Sequence, residues 1–467
     1  MAREKKRKGT SREGAVSKRD VAVKLAPTVQ LLHENISEAL CREVFQGVRT
    51  TERERKWSLF ALARFWLAVI LDPPDSLSQA LVRTRIRGNP RGFLPQVVAS
   101  AESFFQKCQA LSSGFFMALY TRFVDLVVPQ APREYCREMA HLQEKFTDVV
   151  VIDGSRLDKV AHRLKILWQE KAAILPGCIL AVYDLFRGFA TQLWFDADAA
   201  ASEFKRACLA VPGLRPGSLM LGDRLYCSLE MFRLLEENGS FGLFRRTKRL
   251  SIQKIRLLER IAVADGGIVE DQIVQAGVGN RARELRLVRL KNEGKTYEAL
   301  TNVLDPDRLT ARDIVTLYPL RWTVERLFYD LKVVLKLQRF YAANPNAVAM
   351  QVFAAAMVHV AFRMAQADLA RRIGRAPEDL SPRKLYPLLA TTSMTLLEGE
   401  FWFDETQKAN PKTALRKPNM TSHPKTIVPL RYLLVQKRTG VRKKKDFDLQ
   451  RCRWKSITKI DGSQDLT

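Results

Sequence analysis

The run DVVVIDGSRL at residues 148–157 constrains this chain more than any other. It places four consecutive β-branched residues, Val149 to Ile152, between two aspartates. Such a run is too short for a stable helix and reads as a buried strand that meets a polar stop. The residues after it repeat the theme. A second apolar run, 178–186, follows Pro176-Gly177, and a third, 189–195, follows across Arg187-Gly188 as in a hairpin. Residues 198–209 read as a helix. A short strand at 218–222 ends at Asp223, a helix at 228–238 is closed by Gly239, and a strand covers 241–246. Three strands followed by alternating helices and strands predict a mixed α/β fold, a mixed sheet with helices on its faces.

The flanks differ in texture. Residues 1–25 are polar and basic and are expected to be a disordered arm. Residues 26–145 show helical periodicity broken at Asp72-Pro73-Pro74, Gly88-Asn89-Pro90, Pro129 and Pro132, which predicts an all-helical N-terminal region. Its arginine-rich stretch at 80–91 suits either a DNA-facing surface or a solvated helix face. Between about 251 and 305, strand-like pieces alternate with turn signals such as Asp265-Gly266-Gly267, predicting a β-rich insertion. Thr310, with Asp313 three residues on, predicts a capped helix start. Residues 346–373 form a long apolar helix. The remainder to 467 is a C-terminal helical region and basic tail, densest at Arg442 to Lys445.

At 467 residues the chain exceeds one ordinary domain; about 150 residues per domain predicts roughly three. Lys and Arg total 77 against 50 acidic residues, a formal charge of +27. That excess points to a polyanionic partner, nucleic acid first, with a ribosome-type binder or a simply basic protein as the plainer readings. Seven scattered cysteines without a C-x-x-C pair support neither a disulfide framework nor a zinc site. The five histidines are equally dispersed. The apolar runs are short or interrupted by Arg64 and His359, so no membrane segment is expected.

Two aspartates stand where strands end: Asp153 in VIDGS and Asp223 in LMLGDRLY. An aspartate after a strand is commonly a turn residue, so neither alone carries an assignment. The segment YPLRWTVERLFYDLK changes the weight. Tyr318, Arg321, Glu325 and Lys332 lie at offsets of three, seven and fourteen. At about 100° per residue they share an arc of roughly 60°, beside an apolar arc of Leu320, Val324, Leu327, Leu331 and Val334. Taken alone, an i,i+4 pair between Arg321 and Glu325 on an ordinary amphipathic helix explains the stripe equally well.

The ordered pattern Y-x2-R-x3-E-x6-K, behind two strand-end aspartates and with the Asp223-Arg224 pair, resembles the bacterial insertion-sequence DDE transposases over about 148–341. The departures are Leu225, where many relatives carry glycine, and Pro319 inside the signature. The resemblance implies an RNase H-like catalytic domain at 146–345 containing the β insertion. It implies Asp153, Asp223 and Glu325 as catalytic ligands of two Mg²⁺ ions, with Mn²⁺ as a substitute. Tyr318, Arg321, Lys332 and, more weakly, Arg224 become DNA contacts. Trp322 is open to two readings, a base-stacking ring or a buried helix anchor. The resemblance further implies cleavage of transposon ends and strand transfer into target DNA, a homodimer on paired ends, and a cytoplasmic, nucleoid-associated protein. A catalytically inactive DNA-binding derivative and a stand-alone two-metal nuclease remain as alternatives.

Overall fold

The computed structural model describes residues 20–23, 26–48, 56–85, 94–157, 177–262, 267–279, 282–292, 295–337, 339–342, 344–390, 426–429 and 433–435. The basic N-terminus up to 19, the end of the arginine-rich stretch at 86–91 and Arg442 to Lys445 lie outside them.

The N-terminal region is helical as expected: α1 (Ala26–Asn35), α2 (Glu38–Val48), α3 (Leu59–Leu71), α4 (Leu77–Arg83), α5 (Ala101–Ala110), α6 (Ser113–Val127) and the short α7 (Leu142–Lys145). Serine side chains set several starts: Ser58, Ser76, Ser100 and Ser112 each accept a backbone N–H of the first turn that no helical carbonyl can reach. A strand β1 (Asp20–Val23) pairs antiparallel with β11 (Thr426–Pro429), so the last residues of the expected disordered arm are ordered against part of the C-terminal tail.

The central sheet has nine strands: β2 (Val149–Arg156), β3 (Cys178–Asp184), β4 (Phe189–Asp196), β5 (Leu219–Gly222), β6 (Phe241–Arg245), β7 (Ile252–Ala262), β8 (Ile268–Ala276), β9 (Arg283–Asn292) and β10 (Lys295–Thr301). Their spatial order is β4-β3-β2-β5-β6-β10-β9-β8-β7. Strands β2, β5 and β6 run parallel and the remaining pairs are antiparallel. The β-rich insertion is therefore a continuation of the same sheet beyond β6.

Alternation explains why β2 is apolar without a break. Val149 and Val151 enter one apolar core, while Val150 and Ile152 enter the other, on the opposite face. The second core holds α8 (Glu203–Ala210) and α9 (Leu229–Glu237). Helix α8 starts later than expected because the Asp196 and Asp198 side chains capture the N–H groups of Asp198 and Ala200, making turns that compete with helix. Gly239, at φ +66°, ends α9 as its position predicts.

The first core is shared by the N-terminal helices, the other sheet face and α12 (Pro345–Arg372). Helix α12 packs against α1, α3, α6 and β4. By length and composition it is long and apolar enough to cross a bilayer, a property the interruption at His359 had argued against. Its most apolar window is 94% buried inside the protein.

Candidate active site

Sheet register brings the two aspartates together. Val149, Val150 and Val151 pair with Leu219, Met220 and Leu221 in parallel, and the same register continued sets Asp153 level with Asp223 on the neighbouring strand. The Asp153 carboxylate is 19% exposed. Burial pushes its pKa up; Arg321 opposes the shift, the Gly154 N–H donates to it at 3.0 Å, and the charges of Glu203 and Asp223 add to the rise. The sum lies at about 7: desolvation and like charge outweigh one guanidinium. Asp223 accepts the Leu225 N–H at 2.7 Å, so it also organises the turn after β5.

The signature segment is helical throughout but not uniform. Thr310 and Asp313 form the expected capping box at the start of α10 (Ala311–Leu317). A 3₁₀ stretch (Tyr318–Trp322), α11 (Thr323–Tyr329) and a π turn (Asp330–Val334) follow. Pro319, which has no N–H to donate, falls in the 3₁₀ stretch. The assumption of a constant 100° step therefore fails, and the four signature residues are placed by three different helical pitches.

The side chains of Tyr318, Arg321 and Lys332 nevertheless reach the strands that carry the aspartates. The Tyr318 hydroxyl donates to the Gly222 carbonyl at 3.3 Å, beside Asp223, and burial pushes its pKa up to about 12. Lys332 Nζ donates to Ser155 Oγ at 2.7 Å and to the Arg156 carbonyl, at the end of β2. Arg321 is 8% exposed, and its Nη1 lies 3.5 Å from Asp153 Oδ2. The guanidinium thus reaches across to the strand, and no ion pair with Glu325 forms along the helix. Burial raises the pKa of Glu325, and the charge acting on it is that of Arg321. Among the described residues no three His, Cys, Asp or Glu side chains are gathered closely enough to hold a metal ion. Asp153 and Asp223 are neighbours, and the charge of Arg321 acts on both Asp153 and Glu325.

The segment 145–361, which contains every one of these residues, matches the family described as transposase DDE domain. Residues 145–361 are similar to that family. Three relatives agree. A Sinorhizobium fredii (strain NBRC 101917 / NGR234) protein named as transposase y4zB is 28% identical over 156 residues, covering 32% of this chain and 44% of its own. A Synechocystis sp. protein named as the transposase for insertion sequence element IS4SA is 23% identical over 147 residues, covering 30% and 39%. A Geobacillus stearothermophilus protein named as the transposase for insertion sequence element IS5377 is 24% identical over 148 residues, covering 31% and 38%. The matched region spans less than half the length of each relative.

DDE transposase domains use divalent metal ions. The donors here fit that chemistry: carboxylate oxygens suit a hard cation, and Asp153 sits in an excess of negative charge that a cation would relieve. The matched segment also contains residues that spacing did not reveal. Glu203, on α8, lies over Gly154: a Cβ at 154 would fall 2.5 Å from the Glu203 carboxyl carbon. Glu203 accepts a hydrogen bond from the Tyr226 hydroxyl, which is fully buried. The glycine after Asp153 thus makes room for a further carboxylate. Nothing in the local sequence marks Glu203, because its relation to Asp153 is made by the packing of α8 on the sheet. Trp322 is 40% exposed, with the Arg321 guanidinium 4.4 Å from its ring, which excludes the buried-anchor reading. Arg224, next in the chain to Asp223, is exposed.

The insertion separates two populations of cations. Arg246, Arg286, Arg289 and Lys291 are paired with Asp271, Glu270 or Glu298. Lys254, Arg256 and Arg260 lie on β7, the exposed edge strand.

Proposed function

We propose that this protein is a DNA transposase that cleaves phosphodiester bonds at transposon ends and joins the freed 3′ ends to target DNA. The observation that supports this reading is the parallel register of β2 and β5, which continued sets Asp153 level with Asp223, with Tyr318, Arg321 and Lys332 reaching the same strands. In this reading the sheet and its α8, α9 cover form an RNase H-like core. Asp153 and Asp223 hold divalent cations, Mg²⁺ or Mn²⁺, and Glu325 completes the set by closing on them. When bound, a pair of such ions activates the attacking oxygen and stabilises the departing one. Arg321 and Lys332 position the phosphate, the first as a planar fork and the second as a point charge. Arg224 and the cations of β7 supply further phosphate contacts, in keeping with the net charge of +27. A homodimer on paired ends belongs to the same proposal.

The test uses duplexes carrying the inverted repeats that flank the gene. The wild-type chain is expected to cleave them in Mg²⁺, while Glu325→Gln binds the same duplex and leaves it intact. Cleavage by Glu325→Gln at the wild-type rate would remove Glu325 from the site. Pre-cleaved ends with free 3′-hydroxyls then separate a transposase, which joins them to target DNA, from a nuclease, which does not.

A further inference from the structure

We propose that Arg321 is a resident counter-cation of the Asp153 carboxylate, which must move to a DNA phosphate before a divalent ion binds well. The inference rests on the reading above and adds an order of binding to it.

Three observations support the exchange. Arg321 Nη1 is 3.5 Å from Asp153 Oδ2, so its positive charge stands where a cation bound to Asp153 would feel it directly. The pairing is incomplete: the distance exceeds that of a good charge-assisted hydrogen bond, and the buried Nε of Arg321 has no hydrogen-bond partner. Donors are thus left over in the site, which is the condition for a better acceptor to draw the group away. The guanidinium also lies 4.4 Å from the ring of Trp322, a residue 40% exposed, so it has an aromatic surface to follow outward.

Arg321 acts on both Asp153 and Glu325 and supplies each with positive charge in the absence of a metal. A phosphate that draws Arg321 away removes a positive charge from the metal position and leaves two carboxylates that only a cation can reconcile. DNA and metal therefore bind with positive coupling through one side chain, and by linkage each raises the other's affinity. The change of pitch on both sides of Glu325 gives the segment the irregular backbone in which such an adjustment is accommodated.

The experiment measures Mn²⁺ binding to the full chain by titration calorimetry and by the loss of the free-ion paramagnetic resonance signal, with and without end duplex. In wild type, Mn²⁺ is expected to bind weakly without DNA and roughly tenfold tighter with it, within the usual range of site–site coupling. Arg321→Ala is expected to bind Mn²⁺ tighter than wild type without DNA and to lose most of the DNA-dependent gain. Arg321→Lys, which keeps the charge, is expected to return the DNA-free affinity toward the wild-type value. A gain in affinity cannot come from misfolding, so the sign of the Arg321→Ala effect is decisive. Unchanged or weaker Mn²⁺ binding by Arg321→Ala, with Asp153→Asn abolishing it, overturns the exchange alone. Mn²⁺ binding unaffected by Asp153→Asn overturns the exchange together with the metal-site reading beneath it.

Discussion

Two aspartates, one just before β2 and one within it, have opposite fates, and the strand runs on past Asp153 to Arg156 instead of ending there. At the start of the strand, burial pushes the Asp148 carboxyl up, but hydrogen bonds from Arg215 and Arg187 outweigh it and hold the pKa below the ordinary value. Arg187 Nη1 donates to it at 2.6 Å and Arg215 Nε at 2.7 Å. Arg187 also bridges to Asp184, whose carboxylate accepts the N–H groups of Phe186 and Arg187 and so builds the β3–β4 hairpin turn. Within the strand Asp153 has the Gly154 N–H, one long contact to Arg321 and two carboxylate neighbours, and its pKa rises to about 7. Saturated, a buried acid is a clamp between chain segments. Left short of partners, it costs stability and is available to bind something else.

That contrast breaks first under paired substitutions. Asp153→Asn is expected to reduce cleavage to background without lowering the melting temperature. Asp148→Asn is expected to destabilise the fold by about 3 kcal/mol, because Arg187 stays buried without a full partner, while each folded molecule cleaves normally. Denaturant melts and single-turnover cleavage of both variants decide it; a stable Asp148→Asn or an active Asp153→Asn dissolves the distinction.

A subtler outcome concerns pH. The folded pKa of Asp153 is raised above its unfolded value, so protonation favours the folded state. Its contribution to metal-free stability is full below about pH 4 and is lost as pH rises through about 7. Asp148 has the opposite sign: its contribution is present above the unfolded pKa and is lost as pH falls. Melting temperature measured from pH 4 to 8 in chelator is expected to decline less steeply in Asp153→Asn than in wild type. Parallel curves would show that Asp153 is not strained.

The smallest expected effect is at Lys332, which ties α11's end to β2 through Ser155 and Arg156. Lys332→Ala is expected to weaken end binding and to lower the slope of log affinity against log salt by roughly one. An unchanged slope would make the lysine a strand clamp like Arg187.

Much of this was legible in the chain. The β-branched run, the hairpin at Arg187-Gly188, the Thr310 cap and the Gly239 stop are local, and local sterics and hydrogen bonding decide them. The helical character of the segment that carries Tyr318, Arg321, Glu325 and Lys332 was also legible, although a 3₁₀ stretch and a π turn replace the uniform helix. The N-terminal helices were expected as a region of their own; they share one core with the sheet because α12 buries itself against both.

By itself the sequence determined on which elements the candidate residues stand, since periodicity and caps act over a few residues. Only the tertiary structure decided which of those residues meet. Strand register set Asp153 beside Asp223, and packing delivered Glu203 over Gly154 and Arg321 onto Asp153. The reason is physical: a contact across a sheet or between layers depends on how distant segments bury their apolar faces, and no spacing in the chain records that distance.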